Sequence, residues 1–334
     1  MPRPLLLACV ALVCLVAPAC NNASVTFRLG PEDLTLRETR VLGDGPAAAK
    51  IALIDLTGVI ADQPAPSLLG PGANPLNEVL VRLEKAAEDP DVRAIVLRIN
   101  SPGGTVAATE ALAGELDRMR AIKPIVASMS EVAASGGYYA ALATDRIVAQ
   151  PTSITGSIGV VLPTVNVSQG MARLGIQSRA ITSGPNKTLA SPLEPMDETH
   201  YAILQSLVDD MYGAFRTRVA TARNLTDDHT LDPLTDGRVF TGTQALDAGL
   251  VDQLGDVRVA FAEAKSLAGV TSAQLVKYHY GKSTRPRSPY ATTSVPTPRA
   301  EGAAVASVDL NLAEALAAAP PGAAYYLWVP GQWP

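Results

Sequence analysis

Residues 94–130 read AIVLRINSPGGTVAATEALAGELDRMRAIKPIVASMS. Two apolar runs of strand length, at 94–99 and 124–129, enclose a helical pattern at 109–119, and a Ser-Pro-Gly-Gly turn follows the first run at 101–104. Because the runs are apolar at nearly every position, rather than at alternate ones, both faces of the sheet must be covered. The stretch therefore predicts a sheet covered by helices, the α/β class.

The chain on either side repeats this alternation. The further expected elements are a strand at 50–55, a helix at 77–87, a strand at 147–149, a long helix from 197 to about 223 with Ile203, Leu207, Met211 and Phe215 on one stripe, a strand and helix within 238–250, and a helix at 257–267. Residues 281–306 are rich in Ser, Pro, Thr and Arg, which is typical of a flexible tail. The apolar segment 325–329 is expected to dock back as an edge strand or to contact a neighbour.

The composition and net charge of the chain exclude several classes of function. The chain has 334 residues, and an apolar content of 47% supplies a full core. A net charge of −5 without a run of Lys or Arg offers no electrostatic footprint for nucleic acid. The three cysteines all precede residue 21, and of the three histidines His229 follows Asp227-Asp228, which is more simply a solvated loop than a metal site. The body of the protein is therefore expected to contain no disulfide and no zinc site.

The first 19 residues have the pattern of an export signal. Arg3 is followed by an apolar stretch at 5–16 and by Ala-Pro-Ala at 17–19, and the stretch is too short to span a bilayer. Cys20 comes next, so the segment resembles a bacterial lipoprotein signal in which this cysteine is lipidated. Plain secretion after the same cut is the alternative. Both predict an exported protein, and lipidation predicts one anchored to a membrane of the bacterial cell envelope.

The peptide Ala134-Ser135-Gly136-Gly137-Tyr138-Tyr139 places a serine before two glycines. A serine becomes a good nucleophile only when a base takes its proton, and a lysine can be that base only if its surroundings remove its charge. Lys187 lies 52 residues further on, with no acidic residue between Ser183 and Leu193 and with apolar neighbours expected to bury it. The alternatives are a helix N-cap for Ser135 and a solvated loop lysine for Lys187.

Several familiar site signatures do not occur in the sequence. There is no Gly-x-Ser-x-Gly elbow and no Ser-x-x-Lys of the β-lactamase type. The loop at 183–188 lacks the first glycine of a phosphate-binding loop and has Pro185-Asn186 before its lysine. No nucleotide site is expected there.

Residues 50–270 resemble the signal peptide peptidase A family of Ser-Lys peptidases, peptidase family S49, within the larger group of Clp-protease and crotonase folds. Six ordered pieces carry the resemblance: the strand at Lys50, Asn100-Ser101-Pro102-Gly103-Gly104, Ala134-Ser135-Gly136-Gly137-Tyr138, Gly156-Ser157-Ile158-Gly159-Val160, Ser183-Gly184 with Lys187, and Asp236-Gly237-Arg238-Val239 with Gly249-Leu250-Val251-Asp252. The resemblance implies a spiral of ββα units with a long helix after the lysine loop. It also implies a membrane-associated serine endopeptidase without a cofactor or metal.

The same resemblance assigns roles to five residues. It implies that Ser135 is the nucleophile, that Lys187 is the general base and that Ser157 hydrogen-bonds and orients the lysine. The backbone N–H groups of Gly104 and Gly136 match the oxyanion hole, where two donors would contribute about 3 kcal/mol each to transition-state stability. A structural turn serine remains the alternative for Ser157.

The resemblance further implies substrates and an assembly. Remnant signal peptides, or short unfolded apolar peptides, would bind in extended form against a strand edge, and copies of the chain would form a homo-oligomeric ring whose active sites draw on neighbouring subunits. The expected organisation is a signal at 1–19, a leader at 20–49, the peptidase domain at 50–270 and a Pro/Ala-rich tail at 271–334.

Three other interpretations stay open at this stage. A crotonase-type acyl-CoA enzyme would share the fold but would place carboxylates at its reaction centre. A catalytically silent membrane scaffold would not need Ser135. His200 could in principle complete a Ser-His arrangement.

Overall fold

Helices cover both faces of one β-sheet in the computed structural model, which describes residues 35–45, 49–64, 73–195, 197–280, 285–291 and 323–328. The strands are β1 Leu36–Gly43, β2 Lys50–Thr57, β3 Val92–Ser101, β4 Gly103–Thr105, β5 Ile125–Ala134, β6 Arg146–Ala149, β7 Ile154–Gly156, β8 Val239–Thr241, β9 Gln253–Leu254, β10 Gln274–Tyr280 and β11 Tyr325–Leu327. The α-helices are α1 Pro75–Glu88, α2 Val106–Arg120, α3 Gly136–Ala141, α4 Ser168–Arg173, α5 Glu198–Arg223, α6 Asp228–Leu231, α7 Gly242–Asp247 and α8 Val257–Leu267. Short 3₁₀ turns lie at Pro185–Thr188 and Asp232–Leu234.

The main sheet has the strand order β1-β10-β2-β3-β5-β6-β9. Neighbours from β10 to β9 run parallel, and β1 is an antiparallel edge strand. The predicted α/β class is confirmed. Strands β1 and β10 lie on either side of the range 50–270, so the sheet extends beyond the range that carries the family resemblance.

The apolar runs are continuous because successive side chains of each strand enter different cores. On one face Leu53 belongs to a cluster with Phe261 of α8. On the other face its neighbour Ile54 belongs to a cluster with Leu83 of α1 and Leu112 of α2. Each such buried side chain contributes about 1.5–3 kcal/mol of hydrophobic stabilisation, so the two helix layers fix the register of the sheet.

Strand β5 changes partner along its length. Its residues 126–129 pair with β6, whereas its residues 132–134 pair with β7, which in turn pairs with β8. The final pair joins Ala134 to Gly156. The ends of β5 and β7 therefore lie side by side, at the point where the sequence places Ser135 and Ser157.

Helix α5 confirms the predicted long helix. Asp197 caps it by accepting a hydrogen bond from the His200 N–H, and Asn224 ends it in the left-handed conformation. Of the predicted stripe, Phe215 is fully buried but Leu207 is 44% exposed. The second half of the helix therefore packs on the domain, and an apolar side chain in its first half faces outward.

Residues 285–291 correct part of the expectation for the tail. Lys277 of β10 is fully buried, pairs with Asp55 at 2.6 Å and donates to the carbonyl oxygens of Pro289 and Ala291 at 3.0 and 2.8 Å. A buried ammonium requires such hydrogen-bond and ion-pair partners. The hydrogen bonds from Lys277 hold residues 285–291 against the sheet. The flexible interpretation is therefore wrong for 285–291, and the rest of 281–306 lies outside the described residues.

The apolar terminal segment forms β11, which pairs antiparallel with β4 in a separate two-stranded sheet. Val329, the last residue of that predicted segment, lies outside the described residues, as do the signal at 1–19 and Cys20. Among the helices that the structure describes, none combines the length and the apolar character needed to cross a membrane.

Candidate active site

Ser135 forms a sharp turn between β5 and α3. Its backbone has φ 52° and ψ −115°, a conformation that residues with a side chain rarely adopt, and the residue is 1% exposed. Its N–H donates to the Gly156 carbonyl at 2.7 Å, and its own carbonyl accepts from the Tyr139 N–H at 2.8 Å. Strain of this kind costs about 1–3 kcal/mol, persists where surrounding bonds impose it and is common at active sites.

The N-cap alternative for Ser135 is not supported by the geometry. Ser135 occupies the N-cap position of α3, but its side chain makes no capping hydrogen bond. Its position at the end of a strand, on a strained turn into a helix, resembles the turn that carries the nucleophilic serine of α/β-hydrolases.

The two glycines expected to form the oxyanion hole lie beside this turn. A Cβ built on Gly136 would lie 3.1 Å from the Gly104 nitrogen and 2.8 Å from Thr109 Oγ1. A side chain at Gly136 therefore has no room. As the first residue of α3, Gly136 has no intrahelical partner for its N–H. The structure brings the backbone of Gly104, Gly136 and Ser135 together.

Thr109 lies beside Gly136 at the same turn, and no pattern in the sequence predicted it. It is fully buried on α2, and its hydroxyl has no hydrogen-bond partner among the described residues. In the sequence Thr109 is one position in an amphipathic helix, so no local signal singles it out.

Ser157 directly follows the residue of β7 that pairs with Ala134. It too has a positive φ, 50°, is 8% exposed and donates its N–H to the Arg238 carbonyl at 2.7 Å. The structure therefore brings Ser135 and Ser157 to adjacent strand ends. A second strained serine at this point indicates that the local backbone is tightly determined by its neighbours.

Lys187 is not brought into contact with these serines in the single chain. It lies in the 3₁₀ turn Pro185–Thr188 and is exposed, and no hydrogen bond or ion pair joins its ammonium to another side chain within the described residues. The expectation that apolar neighbours of the same chain bury it is wrong, because Leu193 itself is 44% exposed. The His200 ring does not complete a triad here, since its Nε2 lies 3.2 Å from the Pro185 carbonyl oxygen and so holds the turn that carries Lys187.

The segment around Lys187 exposes an unusual amount of apolar surface. Six large apolar side chains between residues 160 and 195 are more than two fifths exposed: Val165, Val167, Leu174, Ile176, Ile181 and Leu193. Ile181 is as exposed as in an extended chain. Clusters of this kind mark surfaces that another molecule covers.

Comparison with known proteins yields one matching family model and several similar chains. The model for peptidase family S49 matches residues 117–271, a range that contains Ser135, Ser157 and Lys187. The chain is 37% identical over 221 residues to a Synechocystis sp. protein named as a putative protease, covering 66% of this chain and 75% of that one. It is 33% identical to a putative signal peptide peptidase SppA of Enterococcus faecium, covering 71% and 69%. It is 38% identical to protease 4 of Salmonella typhi, covering 59% and 32%.

Replacement of Ser135 tests whether its backbone is strained. Glycine adopts a positive φ without penalty, so we expect Ser135→Gly to have a free energy of unfolding about 1 kcal/mol higher than Ser135→Ala. Urea denaturation followed by circular dichroism measures the difference. At the exposed helical control Ser206 the order should be reversed, with Ala favoured over Gly by about 1 kcal/mol. Equal or greater stability of Ser135→Ala would show that the turn is not strained.

Proposed function

The chain belongs to peptidase family S49 and is a serine peptidase, and from that premise we propose that Ser135 is its nucleophile and Lys187 its general base. In the first step Ser135 Oγ attacks the carbonyl carbon of a peptide bond, and the lysine removes the hydroxyl proton. The N–H groups of Gly104 and Gly136 stabilise the oxyanion, and Ser157 positions the lysine. Water then hydrolyses the acyl-enzyme.

One observation carries this proposal. Ser135 sits on a strained turn whose neighbours are Gly104 and Gly136, the two residues with N–H groups suited to an oxyanion. A nucleophile and two convergent backbone donors are the essential parts of acyl transfer. A proton acceptor is the one part that the turn itself lacks.

The exposed position of Lys187 supports a site that is completed between copies of the chain. The lysine lies on a segment with exposed apolar side chains at Leu174, Ile176 and Ile181, and Leu207 is exposed on the helix that follows. An assembled ring would bury this apolar surface, at about 25 cal/mol per Å². The same burial would desolvate Lys187 and favour the uncharged amine that a general base requires.

The substrates that fit this proposal are remnant signal peptides and other short, unfolded apolar peptides. One relative carries the name signal peptide peptidase, and an extended peptide can bind along a strand edge through its backbone. We place the enzyme at a membrane of the cell envelope, anchored through a lipid on Cys20, because its substrates would remain there after export.

Subunit mixing tests the shared site. Ser135→Ala and Lys187→Ala, each inactive alone, should regain activity when they are co-expressed with different tags and purified through both. About a quarter of the wild-type rate is expected, because in a random ring about one junction in four joins an intact serine to an intact lysine. Cleavage of a synthetic peptide of residues 1–19, followed by chromatography, measures the rate.

The control for this mixture is a co-purified pair of Ser135→Ala with Ser135→Gly, which contains no nucleophile and must stay inactive. If the Ser135→Ala and Lys187→Ala mixture is as inactive as this control, the site is not shared between subunits.

The lipid anchor has its own test. Wild-type protein should sediment with membranes, and Cys20→Ser should move to the soluble fraction, since the substitution removes the thiol that would be acylated. Cys14→Ser, within the predicted signal, is the matched control and should not change the distribution. Membrane-bound Cys20→Ser would exclude anchoring through this cysteine.

A further inference from the structure

His200 is buried in a part of the chain that is otherwise exposed to solvent to some degree. Of the residues that the structure describes between 159 and 214, His200 is the single buried one, with 8% of its surface exposed. Histidine is found buried less often than apolar residues, and a buried polar atom normally has a hydrogen-bond partner. This part of the chain includes Lys187. The one side chain enclosed in it is therefore a polar ring.

The ring of His200 is hydrogen-bonded to the turn that carries Lys187. Its Nε2 lies 3.2 Å from the Pro185 carbonyl oxygen. A carbonyl oxygen only accepts hydrogen bonds, so Nε2 carries the hydrogen and donates it. Pro185 is the first residue of the 3₁₀ turn Pro185–Thr188, and Lys187 lies two residues after it. The imidazole therefore joins the start of helix α5 to the residue that opens the lysine turn.

The lysine turn has little packing of its own. None of its four residues is buried, so the hydrophobic effect does little to hold it in place. The Lys187 N–H donates to the Gly184 carbonyl at 3.2 Å, and the Leu189 N–H donates to the Asn186 carbonyl at 3.5 Å, which is longer than a usual N–H···O bond. A hydrogen bond from a buried ring therefore supplies a large part of what orders this turn.

The backbone of His200 is fixed independently of its ring. Its N–H donates to Asp197 Oδ1 at 2.8 Å, which is the capping bond of helix α5. Replacement of the side chain leaves this cap in place, because the bond involves only the backbone of His200. The ring extends from the capped first turn of the helix to Pro185.

Helix α5 connects the lysine turn to helix α3, which follows Ser135. Phe215, 15 residues after His200, is fully buried and packs edge-to-face on Tyr139 of α3 with 4.9 Å between ring centroids. Arg218 lies over the same tyrosine ring, 4.9 Å from its centroid. With a rise of about 1.5 Å per residue, about 22 Å of helix separates His200 from Phe215. One rigid element therefore determines where the lysine turn lies relative to the nucleophile.

We propose that His200 is a positioning residue for the general base. Its ring donates to Pro185 and so fixes the Lys187 turn on helix α5, at the place where the lysine meets Ser135 of a neighbouring copy. This inference rests on the proposed role of Lys187. His200 itself transfers no proton in this account, because its Nε2 hydrogen is engaged by the Pro185 carbonyl oxygen.

Substitutions at His200 separate the hydrogen bond from the bulk of the ring. The side-chain nitrogen of Gln lies about as far from the backbone as Nε2, so His200→Gln keeps a donor within reach of Pro185. The side chain of Asn is one methylene shorter, so His200→Asn is polar but falls short of Pro185. His200→Leu keeps much of the bulk without a donor. The inference predicts that Gln resembles the wild type and that Asn and Leu do not.

Hydrogen exchange tests the turn apart from catalysis. The full chain with each substitution is compared by mass spectrometry of peptides that span residues 184–192. Loss of one hydrogen bond changes an equilibrium by about fivefold. Exchange at the N–H groups of Lys187 and Leu189 should therefore be about fivefold faster in His200→Leu and His200→Asn, and within about twofold of wild type in His200→Gln. His229→Leu, at an exposed histidine of α6, is the matched control and should not change exchange.

Peptide cleavage tests the positioning role. With the peptide of residues 1–19 as substrate, kcat should fall at least about tenfold in His200→Leu and His200→Asn, because a displaced base loses its alignment with the hydroxyl. KM should change less than about twofold, and His200→Gln should keep at least about half of kcat. Unchanged exchange in His200→Leu, unchanged kcat despite faster exchange, or an equal loss in His200→Gln would overturn the inference.

Lys187→Ala, measured in the same assay, separates this inference from the function on which it rests. If Lys187→Ala still cleaves the peptide, the proposed base is wrong and the positioning role falls with it. If Lys187→Ala is inactive and the His200 variants cleave like the wild type, the base stands and only the role of His200 is overturned.

Discussion

The strained turn at Ser135 is the constraint on which the site depends. A residue with a side chain is held at a positive φ because its N–H is bonded to the end of β7 and its carbonyl to the first turn of α3. Those bonds exist because β5 exchanges β6 for β7 over its last three residues. Hydrogen bonding within the sheet therefore offsets the strain energy of the turn. The two buried cores on its faces keep the sheet rigid.

The two halves of the proposed chemistry have different physical settings. Ser135 and the proposed oxyanion donors lie in the packed interior, where glycine alone fits at Gly136. Lys187 lies on an exposed segment with apolar neighbours. Because Lys187 makes no contact with Ser135 in the single chain, catalysis by this pair would begin only when another copy of the chain covers the segment. Such a division would keep a single, unassembled chain from hydrolysing peptides.

The sequence predicted the parts of the structure that local patterns determine. Continuous apolar runs predicted a sheet covered by helices, and the spacing of apolar residues predicted α1, α2, α5 and α8. The setting of Lys187 could not be predicted, because it depends on surfaces that lie outside its own segment. The strand pairing of Tyr326 with Gly104 likewise depends on long-range packing, as do the hydrogen bonds from Lys277 to residues 285–291. Thr109 and Tyr139 read as ordinary helix residues, since only the folded backbone brings them to Ser135.

The central claim is that Ser135 is the residue that attacks the substrate. The most direct measurement is labelling of the full chain with a fluorophosphonate, a reagent that forms a stable bond with activated serines, followed by digestion and mass spectrometry. The account predicts a single modified peptide containing Ser135, and no labelling of Ser135→Ala under the same conditions. Modification of a different residue, or equal labelling of Ser135→Ala, would contradict it.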